Sequence, residues 1–222
     1  MRLAAIIVCA GKSKRFKKDK LLIEIKNKPL FYHTFKTFYQ IKLISQIVLV
    51  LNKEKINLAK KLIFPVFKNC NIKIIEGGRE RKDSVYNGLI SLDKDITHVL
   101  IHDGARPFIS KNLILNIINN LKKYQAVICG IKSRDTIKIV ENSFVKKTLN
   151  RDDIYLIQTP QGFKKDLLLD AYKRFKEKRV FDDAQLLEFS KKKIKVIDGD
   201  ILNIKITYPE DSLFIDIIKK YV

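Results

Sequence analysis

The chain has 222 residues, 46% of them apolar, which suffices for one ordinary domain with a sizeable core. Its 45 lysines and arginines against 24 acidic residues leave a net charge of +21; this suits polyanionic ligands such as triphosphates, nucleic acids or anionic membranes, although scattered lysines such as Lys191, Lys192 and Lys193 read first as a solvated surface. Three widely spaced cysteines, Cys9, Cys70 and Cys129, argue against a disulfide framework and a zinc site and for a reducing, cytoplasmic compartment, and the first apolar run is too short to span a bilayer or to read as a signal peptide.

Taken in chain order, short β-branched runs predict buried strands at Leu3 to Cys9, Gln46 to Leu51, Ile72 to Ile75, His98 to His102 and Ala126 to Cys129. Periodic segments between them predict helices at Leu30 to Gln40, Lys53 to Ile63, Lys82 to Leu92 and Lys111 to Tyr124. Such alternation implies an α/β fold, a mostly parallel sheet with helices on both faces, spanning residues 1–222 as a single domain. Ligands of these sheets bind beyond the carboxyl ends of strands, which directs attention to Ala10 to Lys20, Glu76 to Ser84 and Asp103 to Pro107. The rhythm then breaks. Thr136 to Val140 and Phe144 to Leu149 alternate apolar and polar residues around Glu141-Asn142-Ser143, predicting a β-hairpin arm over residues 133–152. An isolated two-stranded arm is marginal, so a second copy of the chain is the simplest thing for it to pack against. The chain returns through a strand at Ile154 to Gln158, helices at Lys164 to Phe175 and Asp183 to Ser190, a strand at Ile194 to Asp198, and a last helix opened by Pro209.

Five segments hold residues suited to phosphate chemistry. Ala10-Gly11 opens a glycine turn followed by Arg15 and Lys20, so backbone N–H groups and cations can meet a triphosphate; it has neither Walker nor dinucleotide spacing. Gly77-Gly78-Arg79 permits close backbone approach, and Ser84 can hydrogen-bond a base or ribose from a helix's first turn. His102-Asp103-Gly104-Ala105-Arg106 ends a strand with a carboxylate fit for a metal or a ribose hydroxyl, while His102 itself reads as a packed strand-end residue. Asn150-Arg151 with Thr159-Pro160-Gln161, and Asn203-Ile204-Lys205-Ile206-Thr207, each bring one cation beside small polar groups, able to grip a phosphate monoester, although taken singly each reads first as a surface cation.

In this order these segments, with Arg134-Asp135-Thr136 and Asp182-Asp183-Ala184, resemble the 2-C-methyl-D-erythritol 4-phosphate cytidylyltransferases of the non-mevalonate isoprenoid pathway over nearly the whole chain. The resemblance implies a Rossmann-like fold of the nucleotide-diphospho-sugar transferase type, a homodimer knitted by hairpin arms, and magnesium-dependent transfer of CMP from CTP to the substrate phosphate. It gives Arg15 and Lys20 the transition-state charge and Ala10, Gly11, Gly78, Arg79, Ser84, Asp103 and Gly104 the nucleotide. Arg151, Lys205, Thr136, Thr159 and Arg106 take the polyol phosphate, with Thr136 and Arg151 reaching into the neighbouring subunit; Asp103 is a possible indirect contact to a magnesium held mainly by CTP phosphates. The sequence departs from the family pattern at Cys9, Ser13, Leu21 and Phe181, of which Phe181 bears on the acceptor. Two rivals stand beside this reading. A ribitol 5-phosphate cytidylyltransferase would share fold and chemistry. A non-enzymatic basic nucleic-acid-binding protein would use the charge, but the chain has no Trp, no RNP-like motif and no single basic stripe.

Overall fold

The computed structural model describes residues 1–11, 16 and 19–218, with side chains through Ile215. In chain order the strands and helices are β1 (Leu3–Cys9), β2 (Glu24–Ile25), β3 (Lys28–Pro29), α1 (Leu30–Tyr39), β4 (Ile44–Leu51), α2 (Lys53–Ile63), β5 (Asn71–Glu76), α3 (Arg81–Ile90) and β6 (His98–Asp103). They continue with α4 (Lys111–Leu121), β7 (Ala126–Lys132), β8 (Lys138–Glu141), β9 (Phe144–Thr148), β10 (Tyr155–Lys164), α5 (Lys165–Arg174), α6 (Ala184–Phe189), β11 (Lys195–Asp198) and α7 (Ser212–Ile218).

Among the described residues seven strands form one sheet in the order β11-β7-β10-β6-β1-β4-β5. β1 is apolar at every position because both its faces are covered, as a central parallel strand requires. On one face it meets a core built with Phe31, Phe35 and Phe38 of α1, Ile63 of α2 and Ile114 and Ile117 of α4. On the other it meets Val85 and Leu89 of α3, Leu168 and Tyr172 of α5 and Leu187 of α6. The expected α/β architecture with helices on both faces is therefore borne out.

Register sets where a ligand can sit. Val8 pairs with Asp103, Cys9 with Leu51 and Leu51 with Glu76, so β6, β1, β4 and β5 end together at one rim. Strand order runs outward from β1 through β4 to β5, then crosses back to place β6 on the other side of β1. That reversal opens a crevice between the segments following β1 and β6.

β10 departs from the expected strand. It continues past Gln158 through Pro160 to Lys164 and runs antiparallel between β6 and β7. A proline inside a run reads as a strand end, but Pro160 falls within the register break between Gln158 and Gly162, where the ladder needs no N–H from it. The small β2–β3 hairpin was also not expected; its turn residues Lys26 and Asn27 both have positive φ, the geometry of a tight two-residue turn. Asn142 and Ser143 repeat that geometry at the tip of the arm, between β8 and β9. Every residue of these two strands is exposed, Ile139, Val140, Phe144 and Val145 among them. Both feet of the arm leave the main sheet where Lys132 pairs with Tyr155.

Candidate active site

A cleft of about 490 Å³ opens at the carboxyl rim, lined among others by Ala10, Gly11, Lys20, Arg79, Ser84, Asp103 and Lys205. Seven of the residues singled out in the sequence thus meet in one place. Close packing makes this possible. A side chain at Gly77 would overlap Ala10 and Ser84, so the β1 and β5 loops touch only because that position is glycine. Gly78 N–H donates to Ser84 Oγ at 3.1 Å and Ser84 Oγ donates to Glu80 O at 3.0 Å, so Ser84 shapes the loop from the start of α3. Glu80 and Asp83 cap that helix reciprocally, which fixes Arg79, Glu80 and Arg81 at the rim. Gly104 lies against Cys9 Sγ and leaves no room for a side chain, and Thr34 Oγ1 donates to its carbonyl at 3.0 Å.

Asp103 is the electrostatic centre. Its Oδ1 accepts from Arg81 Nε at 2.9 Å and its Oδ2 from Lys205 Nζ at 2.7 Å. Burial works to raise its carboxyl, but Arg81 and then Lys205 outweigh that and hold it well below the ordinary carboxylate range. Arg81 Nη2 also lies 2.8 Å from Oδ2 of Asp183, a carboxylate only 1% exposed, whose Oδ1 accepts from Tyr172 OH at 2.5 Å. The result is a chain of alternating charge from α5 and α6 to the end of β6. Sequence reasoning gave neither Arg81 nor Asp183 nor Tyr172 a role. Arg81 stands inside the segment from Gly77 to Ser84 and Asp183 inside Asp182-Asp183-Ala184, but nothing in the sequence reports that the two segments face each other.

A second hollow of about 380 Å³ shares Arg81, Asp103 and Lys205 with the first and adds Arg106, Thr159, Gln161 and Phe181. Lys205 is placed by the backbone bond from Ile206 N–H to Ala105 O at 2.9 Å. Arg106 Nη1 donates to Asn203 O at 2.7 Å, and Asn203 Nδ2 donates to Thr159 O at 2.8 Å. Thr159 Oγ1 accepts from Asp103 N–H at 3.0 Å and bonds His102 Nδ1 at 3.0 Å, so its hydroxyl braces the end of β6. Thr136 and Arg151 lie at the exposed arm, away from both hollows; Arg151 Nη1 donates to Arg134 O at 3.1 Å. Arg15 and Ser13 fall outside the described residues. Of the other departures from the family pattern, Cys9 and Leu21 are buried, whereas Phe181 is 83% exposed at the edge of the second hollow.

His102 is fully buried against Phe38, and burial pushes its pKa from 6.5 down to about 3. It is a neutral packed residue, as its strand-end position suggested. Between those values the unfolded chain carries a proton there that the folded chain refuses, so stability falls as pH drops below 6.5. Urea unfolding at pH 6.5 and 5.0 should show this loss, and His102→Gln should shrink it by about 1 kcal/mol per pH unit. An unchanged pH slope in the variant would assign the loss to other groups.

Similarity to known proteins agrees with this geometry. The family model described as IspD, 2-C-methyl-D-erythritol 4-phosphate cytidylyltransferase, matches residues 3–220. A protein of that description from Clostridium botulinum (strain 657 / Type Ba4) is 43% identical over 215 residues, covering 95% of this chain and 94% of the relative. One from Alkaliphilus oremlandii (strain OhILAs) is 41% identical, covering 99% of this chain and 95% of the relative. The crystal structure of 4-diphosphocytidyl-2C-methyl-D-erythritol synthase from Anaerococcus prevotii DSM 20548 superposes with a TM-score of 0.90 at 38% identity, covering 99% of this chain and 98% of that one. The likeness runs from β1 into the last helix and takes in every segment that forms the cleft, and on that extent the chain belongs to the 2-C-methyl-D-erythritol 4-phosphate cytidylyltransferase family.

Proposed function

We infer that the chain transfers CMP from CTP to 2-C-methyl-D-erythritol 4-phosphate, giving 4-diphosphocytidyl-2-C-methyl-D-erythritol and pyrophosphate, a step in non-mevalonate isoprenoid precursor synthesis. The observation that carries the reading is the cleft where Lys20, Arg79, Arg81 and Lys205 converge on the loops after β1, β5 and β6. A triphosphate and a phosphate monoester bring several negative charges to one point, and converging cations at a parallel-sheet rim can offset them. The acceptor phosphate oxygen forms a bond to the α-phosphorus of CTP while the bond from that phosphorus to the bridging oxygen breaks, and pyrophosphate leaves with the electron pair. No protein nucleophile is needed. The Cys9 thiol beside the cleft is pushed up by burial and stays protonated, and His102 is fully buried with its ring nitrogens bonded to Thr159 Oγ1 and Arg106 O, so neither group is placed to enter the chemistry. Catalysis is positioning and charge: Lys20, with Arg15, steadies the crowded α-phosphate as it is attacked. Ala10, Gly11, Gly78, Arg79, Ser84 and Gly104 hold the nucleotide, and Lys205, Arg106 and Thr159 the acceptor side.

Magnesium fits the cleft as an ion held mainly by the CTP phosphates and water: the oxygens of Asp103 already accept from Arg81 and Lys205, so this ionised carboxylate would meet it indirectly, through a water of its shell. Bound there, it would neutralise phosphate charge. The chain acts as a homodimer through the arm. Its exposed Ile139, Val140, Phe144 and Val145 gain cover there, and feet that leave the sheet at the cleft end let Thr136 and Arg151 serve the neighbouring subunit's site. Three thiols without disulfide partners suit the cytoplasm, and no helix among the described residues is long and apolar enough to cross a membrane.

The deciding assay measures pyrophosphate release with CTP and magnesium, comparing 2-C-methyl-D-erythritol 4-phosphate, ribitol 5-phosphate and no acceptor, with sedimentation of the same sample. Release only with the erythritol phosphate, from a species of twice the chain mass, is expected. Preference for ribitol phosphate would move the acceptor while keeping the chemistry, and a monomer with full activity would remove the arm from the site.

A further inference from the structure

Lys55 lies in the first turn of α2, in the run Lys53-Glu54-Lys55 that reads as a solvated charged face, yet it is only 4% exposed. An ammonium withdrawn from water persists where it is paired and hydrogen-bonded. Its Nζ lies 2.6 Å from Oδ2 of Asp19. With the Asn52 amide oriented to satisfy both its groups, the amide oxygen accepts from Lys55 Nζ at 3.1 Å and the amide nitrogen donates to Ala10 O. The other oxygen of Asp19, Oδ1, accepts from Leu21 N–H at 3.2 Å and caps the 3-10 turn Lys20–Leu22. One buried cation therefore fastens both ends of the segment that leaves β1 at Ala10 and arrives at Lys20.

We propose that Lys55 is a positioning residue for the reaction: through Asp19 on one side and Asn52 on the other, it holds Ala10 and Lys20 at the spacing that the phosphate-transfer step requires. The inference rests on the transition-state role given to Lys20. Lys55 touches no substrate and acts through the residues it fastens. A rigid tether matters here because charge stabilisation by Lys20 depends on where its ammonium stands, and displacements on the ångström scale are enough to lose it.

The test is a double-mutant cycle on turnover, with CTP affinity measured alongside. Lys55→Met removes the ammonium at similar length, and Asp19→Asn removes the charge pair while keeping an oxygen to cap the turn, so the second variant serves if the first does not fold. Each should lower kcat by about 10- to 10²-fold with a smaller change in CTP dissociation constant. In a Lys20→Ala background the same substitutions should cost little more, because the group they position is gone. Multiplicative losses in both backgrounds, or activity that tracks only the folded fraction, would overturn the proposal. A Lys20→Ala enzyme with undiminished turnover would instead overturn the role of Lys20 itself, and this inference with it.

Discussion

Replacing Lys20 with alanine should lower turnover by about 10²- to 10³-fold while CTP affinity changes far less. The reason lies in when its charge is needed. In the proposed binding mode ground-state CTP would meet Arg79, Ser84 and the Ala10-Gly11 backbone, which line the same cleft, so its binding would be spread over many groups. The α-phosphate carries its greatest crowding of negative charge only while both the entering and leaving oxygens are attached. A cation that matters most at that moment contributes to kcat more than to binding. Steady-state turnover and a direct CTP titration of wild type and Lys20→Ala decide it, and equal losses in both would place Lys20 among the ground-state binding groups.

The second large effect is on stability. Arg81→Met should cost roughly 3 kcal/mol of folding free energy, because it strands a carboxylate inside the protein. Asp103 would still hold Lys205, but Asp183, 1% exposed, would keep among the described residues only the Tyr172 hydroxyl. Denaturant unfolding of the single variant and of Arg81→Met with Asp183→Asn separates the causes. The double variant should recover much of the loss, since the amide carries no uncompensated charge. A single-variant cost below about 1 kcal/mol would mean that water reaches this network as it reaches surface ion pairs.

The legible parts of the fold are those whose information is local. An unbroken apolar run gave β1 to the residue, the periodic segment from Lys53 to Ile63 gave α2, and Glu141-Asn142-Ser143 between alternating strands gave the arm. β10 was read short because a proline inside a strand is judged by the N–H it lacks, while the register break that excuses it depends on β7 and β6. The same division runs through the site. Gly11, Lys20, Ser84 and Asp103 lie in the segments that follow strand ends, so the parallel-sheet rule collects them at one rim. Arg81 and Asp183 meet only after α3 and α6 are packed on the same face. Lys55 was hidden for a related reason: a lysine in a charged run looks solvated until Asp19 and Asn52 are placed against it.

The pairing of Lys132 with Tyr155 closes the sheet below the arm. Whatever lies between those two residues hangs from a single shut ladder and enters no other strand's register. Residues can be gained or lost at its tip, around Asn142 and Ser143, without shifting Asp103 or Thr159, so the length of the arm can change independently of the sheet that holds the cleft.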